Sequence, residues 1–128
     1  MSTHSTLLFT APGPSFTHSI HQTTTPTIAS DQVLIRNKAI SINPLDYKRI
    51  AYNVLVNQWP TSGGFEVAGI VEAVGDEVKH VRFGDAVVGV AGNGGGVSFG
   101  FQEKTRLDGR NVVSKPKGLS FEEAVSLP

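Results

Sequence analysis

A chain of 128 residues, 39% of them hydrophobic, is long enough for one domain with a modest core. Its 11 basic and 11 acidic side chains cancel, so no charge footprint points to nucleic acid or to an anionic membrane surface. Cysteine is absent, which excludes disulfides, thiolate chemistry and Cys-ligated zinc. The opening residues MSTHSTLLFT lack the basic cluster and long apolar run of a secretory leader. No apolar run is long enough to span a bilayer, so the expected location is the cytoplasm.

In chain order, TLLFT near Leu7 predicts a first short strand and TTTPTIAS a polar connection. QVLIRNKAISI predicts a second strand, with Val33 and Ile35 on one face and Arg36 and Lys38 on the other side of the pleat. FEVAGIVEAVG reads as a strand closed by a turn at Gly75-Asp76-Glu77. VKHVRFGDAVVGV follows, with Gly84-Asp85 turning into another apolar run, and VSFGFQEKTRL predicts a further strand. Val67, Ile70, Val71, Val74, Val87 and Val88 are the expected apolar contacts. Near the end, Ser120 with Glu123 three residues on is a capping box, so a helix is expected over Phe121–Ser126. Short strands at this spacing, with 14 glycines and 7 prolines between them, predict a mainly β, partly open barrel with short helices.

One stretch carries more chemistry than a turn needs. SINPLDYKRI starts where a strand ends. Asn43 suits an N-cap, with its side-chain oxygen accepting a first-turn N–H. Pro44 suits the first helical position, and Asp46 the first turn, where the helix dipole favours a negative charge. A helix over Pro44–Tyr52 follows, and helix initiation alone accounts for Asn43 and Asp46. It does not account for Lys48.

Three segments, SINPLDYK, GGFEVAGIVEAVGDEVKHVRFGDAVVGV and VVSKPKGLSFEEAVSLP, together resemble the N-terminal catalytic domain of the medium-chain dehydrogenase/reductase superfamily, which has a GroES-like fold. The resemblance runs from about Thr6 to Pro128, in the family's order. Gly69 and Gly75 fit a strand bend or a turn with positive φ, and Gly84 precedes a tight turn. Zinc alcohol dehydrogenases of this superfamily carry a Cys where Asn43 stands and a His where Phe65 stands, before the position of Glu66. Neither ligand is present, and neither is their Cys-rich lobe. His18 and His21 read as ordinary surface histidines without a third ligand. No metal is therefore expected, and Glu66 is expected to pair with a basic group. Asn-Pro-x-Asp resembles the zinc-free quinone and enoyl reductases, and Asp-Tyr-Lys most resembles fungal trans-acting enoyl reductases that serve polyketide synthases.

The resemblance implies hydride transfer from NADPH to an activated C=C bond of a small-molecule or carrier-bound enoyl substrate. It places Asn43, Leu45, Asp46, Tyr47 and Lys48 at the cofactor. Lys48, Asn43 and Tyr52 are the implied catalytic candidates, with Lys48 set to stabilise oxyanion or phosphate charge. Tyr47 is a further proton-donor candidate. The whole chain, 1–128, corresponds to the GroES-like domain, and the Rossmann domain that would complete the cofactor cleft is absent from it. The glycine-rich run VAGNGGGVSFG does not replace that domain. Gly92 and Gly94 are followed by Val97 at the third fingerprint place, and Gly94 and Gly96 by Phe99, so a loop is expected. Two functional classes stand: part of a zinc-free NADPH-dependent reductase, inactive as this chain alone, or a free-standing GroES-like binding module without catalysis.

Overall fold

The computed structural model describes residues 2–91 and 99–127. In chain order these hold β1 (Thr3–Phe9), β2 (His18–Thr24), β3 (Gln32–Ile40), α1 (Pro44–Tyr52), β4 (Glu66–Val74), β5 (Ala86–Val90), β6 (Lys104–Asp108), β7 (Val112–Ser114) and α2 (Phe121–Ala124), with a 3-10 turn at Gly109–Asn111. The strands form an antiparallel β1–β2 hairpin and a five-stranded sheet in the order β6-β3-β4-β5-β7. This is the expected mainly β fold, its larger sheet curled into a half-barrel.

The inner face of the curl buries Val33, Ile35, Val67, Val71, Val87, Leu107 and Val112. Such a side chain contributes about 1.5–3 kcal/mol when removed from water. The opposite face is covered locally by α2, which lays Ala124 and Val125 over Ala68 and Val88. Val87 and Val88 are therefore both buried although they point to opposite faces. Ile70 is half-buried and belongs to neither cluster, unlike the other expected core positions. Leu34 is buried as well as Val33 and Ile35, beside the ladder irregularity between Leu34 and Ile35.

Two irregularities in the β3–β4 ladder, between Leu34 and Ile35 and between Asn37 and Ala39, break the simple alternation. At the second, a Cβ on Gly69 would stand 2.1 Å from the Arg36 carbonyl oxygen. Gly69 is thus required by the close approach of two backbones, and not by a positive φ. The same holds for Gly75, whose Cβ would meet the Ser30 carbonyl oxygen at 2.2 Å. Only Gly84 of the three adopts a positive φ, 87°, at its turn.

The hairpin is tied to the rest through β1. Leu7 N–H donates to Phe101 O at 2.9 Å, Glu103 N–H to Ser5 O at 3.0 Å, and Phe9 and Thr61 exchange two bonds of 2.7 and 3.0 Å. His4, buried beneath, bonds Thr25 Oγ1 at 2.9 Å and Gln102 Oε1 at 2.7 Å. The strand expected over VSFGFQEKTRL begins only at Lys104. Gly100 and Phe101 instead donate to the carbonyls of Gly64 and Gly63, which draws that segment away from the sheet. The expected loop at Gly92–Gly96 lies outside the described residues. α2 ends at Ala124, two residues before its expected end. Among the described residues no helix is long and apolar enough to cross a membrane.

Candidate functional site

β3 delivers the chain to Ser41, whose N–H donates to Glu66 O at 3.2 Å on β4. Asn43 then takes the N-cap with an extended backbone, Pro44 opens α1, and the helix ends at Asn53 in the left-handed region. Asn43 N–H donates to Asp46 Oδ2 at 2.7 Å. Its side chain turns away from the helix, and Nδ2 donates to Glu66 Oε2 at 3.0 Å. The Ser41 hydroxyl donates to the same carboxylate oxygen. Glu66 thus pairs with an amide and a hydroxyl, and not with the basic group expected for it. The basic groups Arg36 and Lys104 go to Glu72 instead. Phe65, where zinc relatives carry His, packs edge-on against Phe99 with centroids 5.8 Å apart.

The buried arc of α1 holds Asp46, Arg49 and Ile50, at spacings of three and four that share one face. Asp46 is 4% exposed, and its Oδ1 accepts from Gly64 N–H at 2.8 Å. Gly64 has φ 93°, a conformation that glycine adopts without penalty, and this aims its N–H at the carboxylate. Arg49, equally buried, donates to Ser62 O at 2.8 Å and lies over the Phe99 ring at 4.8 Å. Burial lowers the pKa of its guanidinium, and the negative charge of Asp46 pulls it part of the way back. Arg49 and Gly64 escape a motif-based reading, yet they hold the helix in place. The available signal was spacing: Asp46, Arg49 and Ile50 stand three and four residues apart and so share one face of the helix.

Leu45, Lys48 and Tyr52 lie on the outer arc, at spacings of three and four. Leu45 is 40% and Tyr52 69% exposed, and Lys48 is exposed with no ion pair or hydrogen bond to the described residues. Tyr47 points elsewhere, into an apolar hollow between α1 and the β1–β2 hairpin. The five residues expected at the cofactor therefore divide three ways: Leu45 and Lys48 outward, Tyr47 to the hollow, and Asn43 and Asp46 into hydrogen bonds within the protein. His18 and His21 are exposed on β2, where each bonds a near neighbour in sequence.

A curled sheet, a helix launched from its rim by Asn-Pro-x-Asp, and a Glu on the adjacent strand define a class. Residues 29–117 match the model of the alcohol dehydrogenase GroES-like domain, and the chain belongs to that family. Among curated proteins it is 40% identical over 109 residues to 2-methylene-furan-3-one reductase of Solanum lycopersicum, covering 80% of this chain and 28% of that one. It is 37% identical over 109 residues to the enoyl reductase component, lovC, of lovastatin nonaketide synthase of Aspergillus terreus, with the same coverage. Among solved structures it superposes on the quinone oxidoreductase of Coxiella burnetii with TM-score 0.87 and 30% identity, over 99% of this chain and 41% of that one. Against the Escherichia coli quinone oxidoreductase complexed with NADPH the TM-score is 0.82 at 25% identity, over 97% and 37% of the two chains. The chain thus spans under a third of the length of these curated relatives.

Proposed function

We propose that this chain is the catalytic-domain portion of a zinc-free, NADPH-dependent oxidoreductase that reduces an activated C=C bond in an enoyl thioester, enone or quinone. The observation that carries the reading is the outer arc of α1: an exposed ammonium, Lys48, without a partner among the described residues, set between exposed Leu45 and Tyr52. Such a surface fits one wall around a ligand that is part aromatic and part anionic. The relatives support the reaction class, because they are named as enone, enoyl and quinone reductases and one was solved with NADPH. The relation to a polyketide synthase component supports a carrier-bound enoyl substrate and a synthase partner. The zinc-free reading rests on side chains: Asn43 donates to Glu66, and Phe65 packs on Phe99.

When bound, NADPH would supply a hydride for the β-carbon of the substrate. The negative charge then gathers on the carbonyl oxygen, and a proton must reach the α-carbon. Lys48 holds positive charge at the oxyanion or at a phosphate, an effect worth about 2–4 kcal/mol for a well-placed donor. The Tyr52 hydroxyl is available as proton donor. Leu45 shields the reacting atoms from water. Asn43 and Asp46 serve this wall indirectly: Asn43 ties the helix start to Glu66, and Asp46 fixes the backbone of Asn43 and Gly64.

The test is titration of the 128-residue chain with NADPH, followed by amide NMR. One wall of a cleft leaves the nicotinamide free to rotate, so binding in the millimolar range, about 4 kcal/mol, and no measurable turnover of enones or enoyl thioesters are expected. The shifted amides should cluster at Leu45, Lys48 and Tyr52, and Lys48→Met should abolish the shifts. Shifts that avoid this arc overturn the reading and leave a binding module without catalysis.

A further inference from the structure

The hollow that Tyr47 lines does not include Lys48. It has a volume of about 460 Å3, within the range of small-molecule sites. Its walls come from β1 (Leu7, Phe9), the hairpin turn (Phe16), the approach to α1 (Ile42), α1 itself (Tyr47) and the segment before β6 (Phe101). Phe9 meets Phe16 and Phe101 edge-on, at centroid distances of 6.5 and 6.4 Å. Asp46 is the one charged residue among the described lining residues, and its two carboxylate oxygens are taken by the N–H groups of Asn43 and Gly64. The Tyr47 hydroxyl makes no hydrogen bond to the described residues.

Phe16 adds an independent sign. Its φ is 50°, a conformation that costs a large L-residue about 1–3 kcal/mol. The turn is held there from outside the hollow: Gly13 N–H donates to Ile50 O at 2.9 Å, and the His18 ring bonds Phe16 O at 2.6 Å. The strained backbone sets an aromatic ring at the rim of the hollow, where a hydrophilic turn residue would have been easier to place.

We propose that this hollow is a binding site for a neutral ring compound, mainly hydrocarbon, with a single hydrogen-bonding group that meets the Tyr47 hydroxyl. Four aromatic rings favour a flat ligand through edge and face contacts. The absence of a free charge among the lining residues disfavours ions, whose desolvation nothing there would offset. The inference is independent of the reductase reading, since Lys48 and Tyr52 are not part of the lining.

The probes are toluene and indole, added to the labelled 128-residue chain and followed by NMR, with benzoate as the anionic control. Saturable shifts at Leu7, Phe16, Ile42, Tyr47 and Phe101 are expected with both neutral probes and not with benzoate. Ile42 is 77% exposed, so Ile42→Trp fills the mouth without disturbing the core, and it should abolish those shifts. Ile42→Glu, which sets a charge at the same place, should also abolish them and serves if the Trp variant fails to fold. Absence of saturable shifts, or shifts that survive both variants, overturns the proposal. So does a rise in sedimentation mass that shifts the same residues without a probe, because the hollow would then be a contact between two copies.

Discussion

The two helices begin with the same kind of signature and use it differently. In α2 the box is closed within four residues: Ser120 Oγ accepts from Glu123 N–H at 3.1 Å, and Glu123 Oε1 accepts from Ser120 N–H at 3.1 Å. In α1 the N3 carboxylate also reaches back, from Asp46 to Asn43 N–H, but its other oxygen holds Gly64, 18 residues away. The Asn43 amide leaves the helix for Glu66, 23 residues away. A local cap starts a helix. A cap shared with distant strands also fixes where that helix stands, which is what a preorganised binding surface requires.

The sharpest way to break this contrast is Asp46→Ala. It removes two charge-assisted hydrogen bonds, strands a buried N–H at Gly64 and takes away the anion beside Arg49. A loss of about 3 kcal/mol in urea unfolding is expected. An effect no larger than that of a surface cap would show that the long-range half contributes nothing. Asn43→Asp comes next. It sets a second carboxylate against Glu66, and about 1–2 kcal/mol should be lost at neutral pH. The repulsion raises the folded pKa of that pair, so the loss should shrink as pH falls and one of the two carboxylates takes up a proton. A pH-independent loss would indicate a packing defect instead.

Ser120→Ala tests the local cap. About 1 kcal/mol should go, with no change in amide shifts at α1. The Glu123 pKa is lowered, first by the backbone bond to Ser120 and then by the side-chain bond, so the variant should let it rise part of the way. The smallest effect belongs to another local pair. Asp108 is held at about 2 by the Arg110 side chain and then by its backbone N–H. Because that value lies below the ordinary 3.8, its contribution is present above 3.8 and is lost as pH falls toward 2. Asp108→Asn should flatten the acid limb of stability in that window, and carbon NMR should show Asp108 still ionised at pH 3 in the parent chain.

Much of this architecture was determined by the sequence by itself. The helix at Pro44–Tyr52, the capping box at Ser120, the turns at Gly75 and Gly84 and the β-rich class all rest on rules that act within a few residues, so they are readable from neighbours in the chain. The exposed arc of Leu45, Lys48 and Tyr52 follows from helical spacing in the same way. What the tertiary structure decided depends on groups far apart in the chain. The partner of Glu66 became Asn43 and Ser41 because the end of β3 runs beside the start of β4. Gly69 is a glycine because the Arg36 carbonyl arrives there, and no local signal records that approach. Helical spacing already turns Tyr47 roughly 100° from Lys48, but the hollow it lines exists only because the β1–β2 hairpin brings Leu7, Phe9 and Phe16 to that side of α1. Pairings such as these are set by which strands meet, and packing geometry selects them after the local rules have been satisfied.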